Sequence, residues 1–113
     1  MSEPATKVEI TPDELKRRID ASEALVLLDI REPHELKISS LSDIVHIPMG
    51  EFTDRLEELE TKKSAEIVVI CRAGNRSSVI AEFLRENGFD RVYNLVGGMN
   101  HWAETVDKSM KTY

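Results

Sequence analysis

The sequence has few of the residues that crosslink chains, stack on ligands or span membranes. Its 113 residues include one cysteine, one tryptophan, two tyrosines and three phenylalanines. One cysteine cannot form a disulfide within the chain, so an internal disulfide framework is excluded and the thiol is free for chemistry. No apolar run is long enough to cross a bilayer. We therefore expect a soluble protein in a reducing compartment such as the cytoplasm, with no membrane partner.

Positive charge is also in short supply. Fifteen lysines and arginines face 21 aspartates and glutamates, so the net charge is −6. An acidic chain is a poor match for nucleic acid, and we expect no nucleic-acid partner.

Residues 1–7 have neither a basic start nor an apolar stretch, so we expect no secretory signal. Three scattered histidines and one cysteine lack the spacing of metal ligands, and we expect neither a metal nor a cofactor.

The one cysteine lies in a segment whose composition indicates reactivity. Residues 66–70 are a β-branched apolar run typical of a buried parallel strand, and residues 79–88 have the apolar spacing of a helix. Unpaired amides at a helix N-terminus, the helix dipole and nearby cations favour a thiolate over a thiol. After Cys71 come two arginines, a glycine that lets amides turn inward, and small or polar residues: Arg72, Ala73, Gly74, Asn75, Arg76 and Ser77.

Two interpretations compete for Cys71. A lone cysteine at the end of a strand is usually a small buried hydrophobe. An inert cysteine does not need a Gly-Asn turn, two arginines and two serines after it, so the neighbours favour reactivity. We predict a nucleophilic sulfur at the bottom of an anion-binding loop.

The remaining pattern predicts an alternation of strands and helices in a chain whose length suits one domain. The predicted strands are residues 8–10, 24–29, 44–47, 66–70 and 91–95. The predicted helices are residues 12–21, capped by Thr11, then 32–36, 51–60, 79–88 and a last helix opening at 97–98. Asp29 and Arg31 lie at the C-terminal end of the second predicted strand, and an ion pair or a hydrogen bond that braces the loop is the favoured role of Asp29 there.

Four segments resemble the rhodanese-like sulfurtransferase family. Residues 71–77, Cys-Arg-Ala-Gly-Asn-Arg-Ser, resemble its active-site loop. In the same order as in the family, residues 27–35 resemble its first signature, residues 46–48 its Asn/His-Ile-Pro element, and residues 92–102 its Gly-Gly-x-x-x-Trp segment. Residues 37–45 depart from the usual pattern. They are more similar to the rhodanese domains found with molybdopterin-synthesis activating enzymes.

The resemblance implies both a fold and an activity. The fold is a single α/β rhodanese-like domain over 1–113, with its core at about 7–105, and a central, mostly parallel five-stranded sheet with helices on both faces. The activity is sulfur transfer through a Cys71 persulfide. The donor would be a small anion such as thiosulfate, and the acceptor cyanide, a thiol or a protein.

The resemblance also implies roles around the catalytic Cys71. The six residues of the 72–77 loop would bind the donor and the charged sulfur, and Asp29 and Arg31 would support them from behind. Arg76 keeps two open roles. It either binds the donor or braces the loop through a carboxylate such as Asp29.

Two other classes of function stay open. One is a persulfide carrier or binding module with little thiosulfate activity. The other is a cysteine phosphatase or arsenate reductase, whose loop has one residue more between Cys and Arg than the four found here. The shorter loop favours a bowl sized for one sulfur atom over one sized for a phosphate.

Overall fold

Strands and helices alternate along the part of the chain that the structure describes. The computed structural model describes residues 8–113, and residues 1–7, where we expect no secretory signal, lie outside the described residues. The strands are β1 (Glu9–Ile10), β2 (Leu25–Asp29), β3 (Ile44–His46), β4 (Glu66–Ile70) and β5 (Arg91–Leu95). The helices are α1 (Pro12–Asp20), α2 (Pro33–Leu36), α3 (Phe52–Arg55), α4 (Asn75–Glu86) and α5 (Gly98–Thr105). Among the described residues, no helix is both long enough and apolar enough to cross a bilayer.

The five strands form one sheet in the order β1, β5, β4, β2, β3, and every pairing between them is parallel. Side chains of β4 alternate between the two faces, with Ile67 and Val69 in one apolar cluster and Val68 and Ile70 in the other. Helices α3 and α4 cover the first cluster, and α1 and α5 cover the second. The predicted sheet with helices on both faces is therefore confirmed. Cys71 continues the alternation of β4 and joins the cluster beneath α4.

The start of α1 follows the predicted capping pattern. Thr11 has an extended backbone, and its Oγ1 accepts a hydrogen bond of 3.2 Å from the Glu14 amide. Pro12 takes the first helical position, where a missing N–H has no cost. The helix ends at Asp20, one residue before the predicted end.

Two predicted helix boundaries were wrong. Helix α4 begins at Asn75, not at residue 79, because Gly74 adopts a left-handed φ of 99° and turns the chain directly into the helix. The stretch 51–60 is not one α-helix, since α3 is followed by a 3₁₀ segment, Leu56–Lys62. Residues three apart share a face in a 3₁₀ helix, so Leu56 and Leu59 still reach the core.

Candidate active site

Cys71 lies where the two central strands end. It follows β4 directly, and Ile70, the last residue of β4, pairs in register with Asp29, the last residue of β2. Because the strands are parallel, their carboxyl ends and the loops after them gather at one edge of the sheet. The loop after Cys71 then leads into the N-terminus of α4, as the position of the cysteine predicts.

Three groups from the loop and α4 surround the Cys71 sulfur. The Gly74 amide donates to Sγ over 3.1 Å and the Ser77 amide over 3.4 Å, and the Ser77 hydroxyl lies 3.2 Å away. We call these three groups the sulfur cradle. All are neutral dipoles, which stabilise negative charge on sulfur without bringing a full positive charge into a buried site. Within residues 8–113, Gly74 and Ser77 supply the two amides that donate to sulfur, so not every residue of the predicted 72–77 loop bonds to it.

Cys71 is the most buried residue lining a small cavity. Cys71 is only 1% exposed, yet it lines a cavity of about 260 Å³ that opens at the end of the sheet. The other lining residues come from the predicted loop: Arg72, Ala73, Asn75 and Arg76. The loop thus divides into two residues that bond to the sulfur, Gly74 and Ser77, and the four exposed or half-buried residues that line the cavity. In the part of the chain described, no group of His, Cys, Asp or Glu is arranged to hold a metal ion.

The N-terminus of α5 holds the loop from the other side. The Met99 amide donates to the Cys71 carbonyl over 2.9 Å, and the Asn100 amide donates to the Arg72 carbonyl over 3.0 Å. This approach requires a glycine, because a Cβ at Gly98 would lie 2.4 Å from both of those carbonyl oxygens. Gly98 also has a left-handed φ of 61°. The second glycine of the Gly-Gly pair therefore fixes the position of the loop.

A buried amide supports the cradle from β5. The Ser77 hydroxyl donates to Asn94 Oδ1, and Asn94 Nδ2 donates to the Gly74 carbonyl over 3.2 Å. A hydroxyl has one proton, so Ser77 can donate either to Asn94 or to the sulfur. When the Ser77 hydroxyl donates to Asn94, its oxygen can accept a hydrogen bond from the S–H of a Cys71 thiol. With a thiolate, the same hydroxyl can turn its proton towards the sulfur.

Arg76 pairs with a carboxylate, but not with the one predicted. Its two terminal nitrogens donate to the two carboxylate oxygens of Glu35, each over 3.0 Å. Asp29 was therefore the wrong partner, because its carboxylate is fully engaged elsewhere. The hydrogen bonds from Arg76 lower the pKa of Glu35 from its ordinary 4.5 to about 2, against the opposing effect of burial. Glu35 in turn raises the pKa of Arg76.

Asp29 instead pairs with Arg31, as the ion-pair interpretation predicts. Both side chains are fully buried, and Arg31 Nη2 donates to Asp29 Oδ2 over 2.8 Å. The guanidinium also donates to the carbonyls of Glu35 and Ser39. His46 Nε2 lies 2.7 Å from the Arg31 carbonyl oxygen. A buried charge with this many partners is a structural brace.

Tyr113 joins the two ion pairs. Its hydroxyl accepts from Arg31 Nη1 over 2.8 Å and donates to Glu35 Oε2 over 2.7 Å. Burial raises the pKa of Tyr113, so the phenol keeps its proton at neutral pH. Four paired side chains form what we call the charged cluster: Asp29, Arg31, Glu35 and Arg76. The Tyr113 hydroxyl bridges the two pairs.

Comparison with known proteins identifies the family. A family model described as "Rhodanese-like domain" matches residues 11–105, which is most of the chain. The chain belongs to the rhodanese-like family. The crystal structure of a rhodanese-related protein from Thermoplasma volcanium has the same fold, with a TM-score of 0.77 and 33% identity. That similarity covers 88% of this chain and 93% of the other.

Curated relatives of this rhodanese-like chain fall into two kinds. "Putative sulfurtransferase YtwF" of Bacillus subtilis strain 168 is 41% identical over 102 residues, covering 89% of this chain and 96% of the relative. Two longer relatives are "Putative sulfur carrier protein YrkF" of the same organism, 38% identical, and "Adenylyltransferase and sulfurtransferase MOCS3" of Arabidopsis thaliana, 35% identical. The matches cover 90% and 92% of this chain, which spans 55% and 25% of the two relatives' lengths.

Three residues of the rhodanese-like site were missed by reasoning from the sequence. Glu35 lies inside the segment that resembles the first family signature, but nothing in the sequence distinguishes it from exposed neighbours such as His34. Asn94 is an uncharged polar residue within a predicted strand, between Tyr93 and Leu95, which is a signal that could have been used. Tyr113 lies after a polar stretch without a pattern, and no local signal marks it.

The segment that departs from the usual family pattern also contributes to the site. Ser39 is buried, and its carbonyl accepts from Arg31 Nη2 over 2.7 Å. The segment then turns through Asp43, which has a left-handed φ of 58°, into β3. The altered residues 37–45 therefore hold the guanidinium of Arg31 with a backbone carbonyl.

Proposed function

We propose that the chain is a sulfurtransferase in which Cys71 is the catalytic nucleophile. Relatives named sulfurtransferase or sulfur carrier support a role in rhodanese-type sulfur transfer. The observation that carries the assignment to Cys71 is its position, lining a cavity and with its sulfur within reach of two amides and a hydroxyl. Among the described residues, the groups bonded to the sulfur are two amides and a hydroxyl, with no histidine or carboxylate to act as a general base, which suits a thiolate that attacks directly.

The proposed first step moves one sulfur atom from donor to enzyme. The Cys71 thiolate attacks the outer sulfur of thiosulfate, a new S–S bond forms, the old S–S bond breaks, and sulfite leaves with the bonding electron pair. The product is a Cys71 persulfide anion. The cradle amides donate hydrogen bonds that would stabilise the negative charge on sulfur in both states. Ser77 and Gly74 would bind the sulfur, and Arg72, Ala73, Asn75 and Arg76 would contact the donor at the opening.

In the proposed second step an acceptor takes the sulfur away. Cyanide attacks the outer persulfide sulfur, the S–S bond breaks, and thiocyanate and the Cys71 thiolate are released. A small thiol or a protein thiolate would react in the same way, leaving as its own persulfide. A reducing compartment such as the cytoplasm would keep Cys71 available between turnovers.

Steady-state kinetics of thiocyanate formation test this proposal. Varying thiosulfate at several cyanide concentrations should give the parallel double-reciprocal lines of a ping-pong mechanism. Cys71→Ser should have no activity above the uncatalysed rate. Intersecting lines, or an active Cys71→Ser variant, would rule out the proposed covalent intermediate on Cys71.

A persulfide carrier is the second candidate, supported by the relative named as a sulfur carrier protein. A carrier would take sulfur from a protein donor and turn over thiosulfate poorly. Single-turnover loading of Cys71 by a cysteine desulfurase with cysteine, compared with loading by thiosulfate, separates the two candidates. Faster loading by thiosulfate at equal concentration would favour the thiosulfate enzyme.

A further inference from the structure

Tyr113 contacts Arg72 directly with its ring and is linked to Arg76 through Glu35 by its hydroxyl. Its hydroxyl donates to Glu35, which holds Arg76. Its ring lies beneath the guanidinium of Arg72, with 5.1 Å between the Arg72 Cζ and the ring centroid. Asn100 fixes the Tyr113 backbone, because its side chain donates to the Tyr113 carbonyl and accepts from the Tyr113 amide, each over 2.9 Å.

The two arginines at the cavity opening differ in how their charge is balanced. The charge of Arg76 is matched by Glu35 in a two-point ion pair. Within residues 8–113, no ion pair joins Arg72 to a carboxylate, and its side chain is exposed. An aromatic ring attracts a cation without cancelling its charge. The Tyr113 ring therefore positions the Arg72 guanidinium, and its positive charge is still available to a ligand in the cavity.

We propose that Tyr113 is a positioning residue that seats Arg72 at the cavity opening, and that Arg72 so placed selects sulfur donors by their negative charge. The inference rests on the proposed sulfur transfer at Cys71 and assigns its donor to the doubly charged class. Arg76 has the other role, since Glu35 orients it and offsets its charge. The ring of Tyr113 positions Arg72 and so determines the preference for donor charge, whereas the hydroxyl bonds to Arg31 and Glu35 of the charged cluster.

Two donors that differ by one charge test this division of roles. Thiosulfate is a dianion that leaves as sulfite, and methanethiosulfonate is a monoanion that leaves as methanesulfinate. Both give the same Cys71 persulfide by the same exchange of one S–S bond for another. The measured quantity is kcat/KM for thiosulfate divided by kcat/KM for methanethiosulfonate, with cyanide as the acceptor.

Substitutions at Tyr113 should separate the ring from the hydroxyl. Arg72→Gln removes the cation and should lower the donor ratio by about tenfold, because a dianion loses more attraction than a monoanion. Tyr113→Leu removes the ring and should lower the ratio by a similar factor. Tyr113→Phe keeps the ring and should leave the ratio within about twofold of wild type, even where both rates fall.

A loss of folding would lower both rates together and leave the donor ratio unchanged, so the ratio reports positioning. Asn100→Ala gives a second route to the same displacement, since it frees the Tyr113 backbone, and it should also lower the ratio. Tyr93→Phe is the matched control, because that hydroxyl bonds to Glu66 away from the cavity. Thermal unfolding of each variant identifies any that does not fold.

Each outcome decides the inference. A lowered ratio in Tyr113→Leu and Asn100→Ala, but not in Tyr113→Phe, supports it. An unchanged ratio in Tyr113→Leu, or an equal fall in Tyr113→Phe, overturns it while leaving the proposed sulfur transfer intact. Wild-type protein that forms no persulfide with either donor overturns the proposed function itself.

Discussion

The sulfur cradle and the charged cluster lie side by side and are built in opposite ways. The cradle consists of neutral dipoles from two residues close to Cys71 in the chain, Gly74 and Ser77. The charged cluster consists of full charges from distant parts of the chain, since Glu35 and Arg76 are 41 residues apart. The part that touches sulfur is local and uncharged, and the part that braces it is non-local and charged.

This difference matches what each part has to do. In the proposed reaction, the sulfur of Cys71 carries negative charge as a thiolate and again as a persulfide, so its partners must stabilise an anion without a fixed counter-ion. Charges of the cluster do not change during such a cycle, and they are balanced within the cluster. The contrast predicts that substitutions in the cluster act mainly on stability, and substitutions in the cradle mainly on activity.

The largest expected effect is on stability, from Arg31→Met. The substitution leaves the Asp29 carboxylate buried without its cation, and breaking one partner of a buried pair costs about 3–5 kcal/mol. Urea unfolding should show this loss in the free energy of unfolding. Lys16→Met is the matched control, because the Lys16–Asp20 pair is exposed and should change stability by less than about 1 kcal/mol. Equal small effects in both variants would contradict the proposed brace.

Glu35→Gln should change how stability depends on pH. The pKa of Glu35 is about 2 in the folded chain and 4.5 as its ordinary value, so its contribution is complete above about pH 5 and is lost as the pH falls towards 2. This shift corresponds to about 3 kcal/mol at neutral pH. The stability gap between wild type and variant should therefore close between pH 5 and pH 2 in denaturant titrations.

Glu57→Gln provides the control for that titration, since Glu57 is an exposed carboxylate on the acidic surface after α3. Its stability curve should run parallel to wild type over the same pH range. A gap for Glu35→Gln that stays constant, or widens, as the pH falls would show that the Arg76 pair is not the source of the effect.

The smallest expected change in free energy belongs to the cradle and is measured in activity. Ser77→Ala removes the hydroxyl next to sulfur, and a hydrogen bond to a charged group contributes about 1.5–3 kcal/mol. We expect kcat/KM to fall by about 10- to 100-fold. Ser78→Ala is the matched control, since that exposed hydroxyl donates to the Asn75 carbonyl and not to sulfur. Equal rates for the two variants would remove Ser77 from the proposed cradle.

The same contrast explains how far the sequence could be interpreted. The cradle was predictable because strand, cysteine, glycine and helix follow one another in residues 66–86, and backbone amides need no particular side chain. Pairing of Arg76 with Glu35 was not predictable, because several carboxylates could reach a loop at the end of the sheet. The choice between them depends on where α2 lies, and Tyr113 completes the cluster from 78 residues beyond Glu35.

Helix boundaries show the same limit at shorter range. Apolar periodicity begins only at Val79, so it marks the buried part of α4 and not its polar first turn at Asn75. Strands β4 and β5 were predicted at their observed bounds, because β-branched or aromatic residues lie within both of them. Backbone geometry at Gly74 decides the helix start, and side-chain patterns do not record it.

The central claim is that sulfur is carried on Cys71, and intact-mass measurement tests it most directly. Reduced wild-type protein is treated with thiosulfate, freed of excess donor and weighed beside Cys71→Ser handled in the same way. We predict a gain of one sulfur atom in the wild type, reversed by cyanide, and none in the variant. No gain in the wild type, or the same gain in both proteins, would contradict the account.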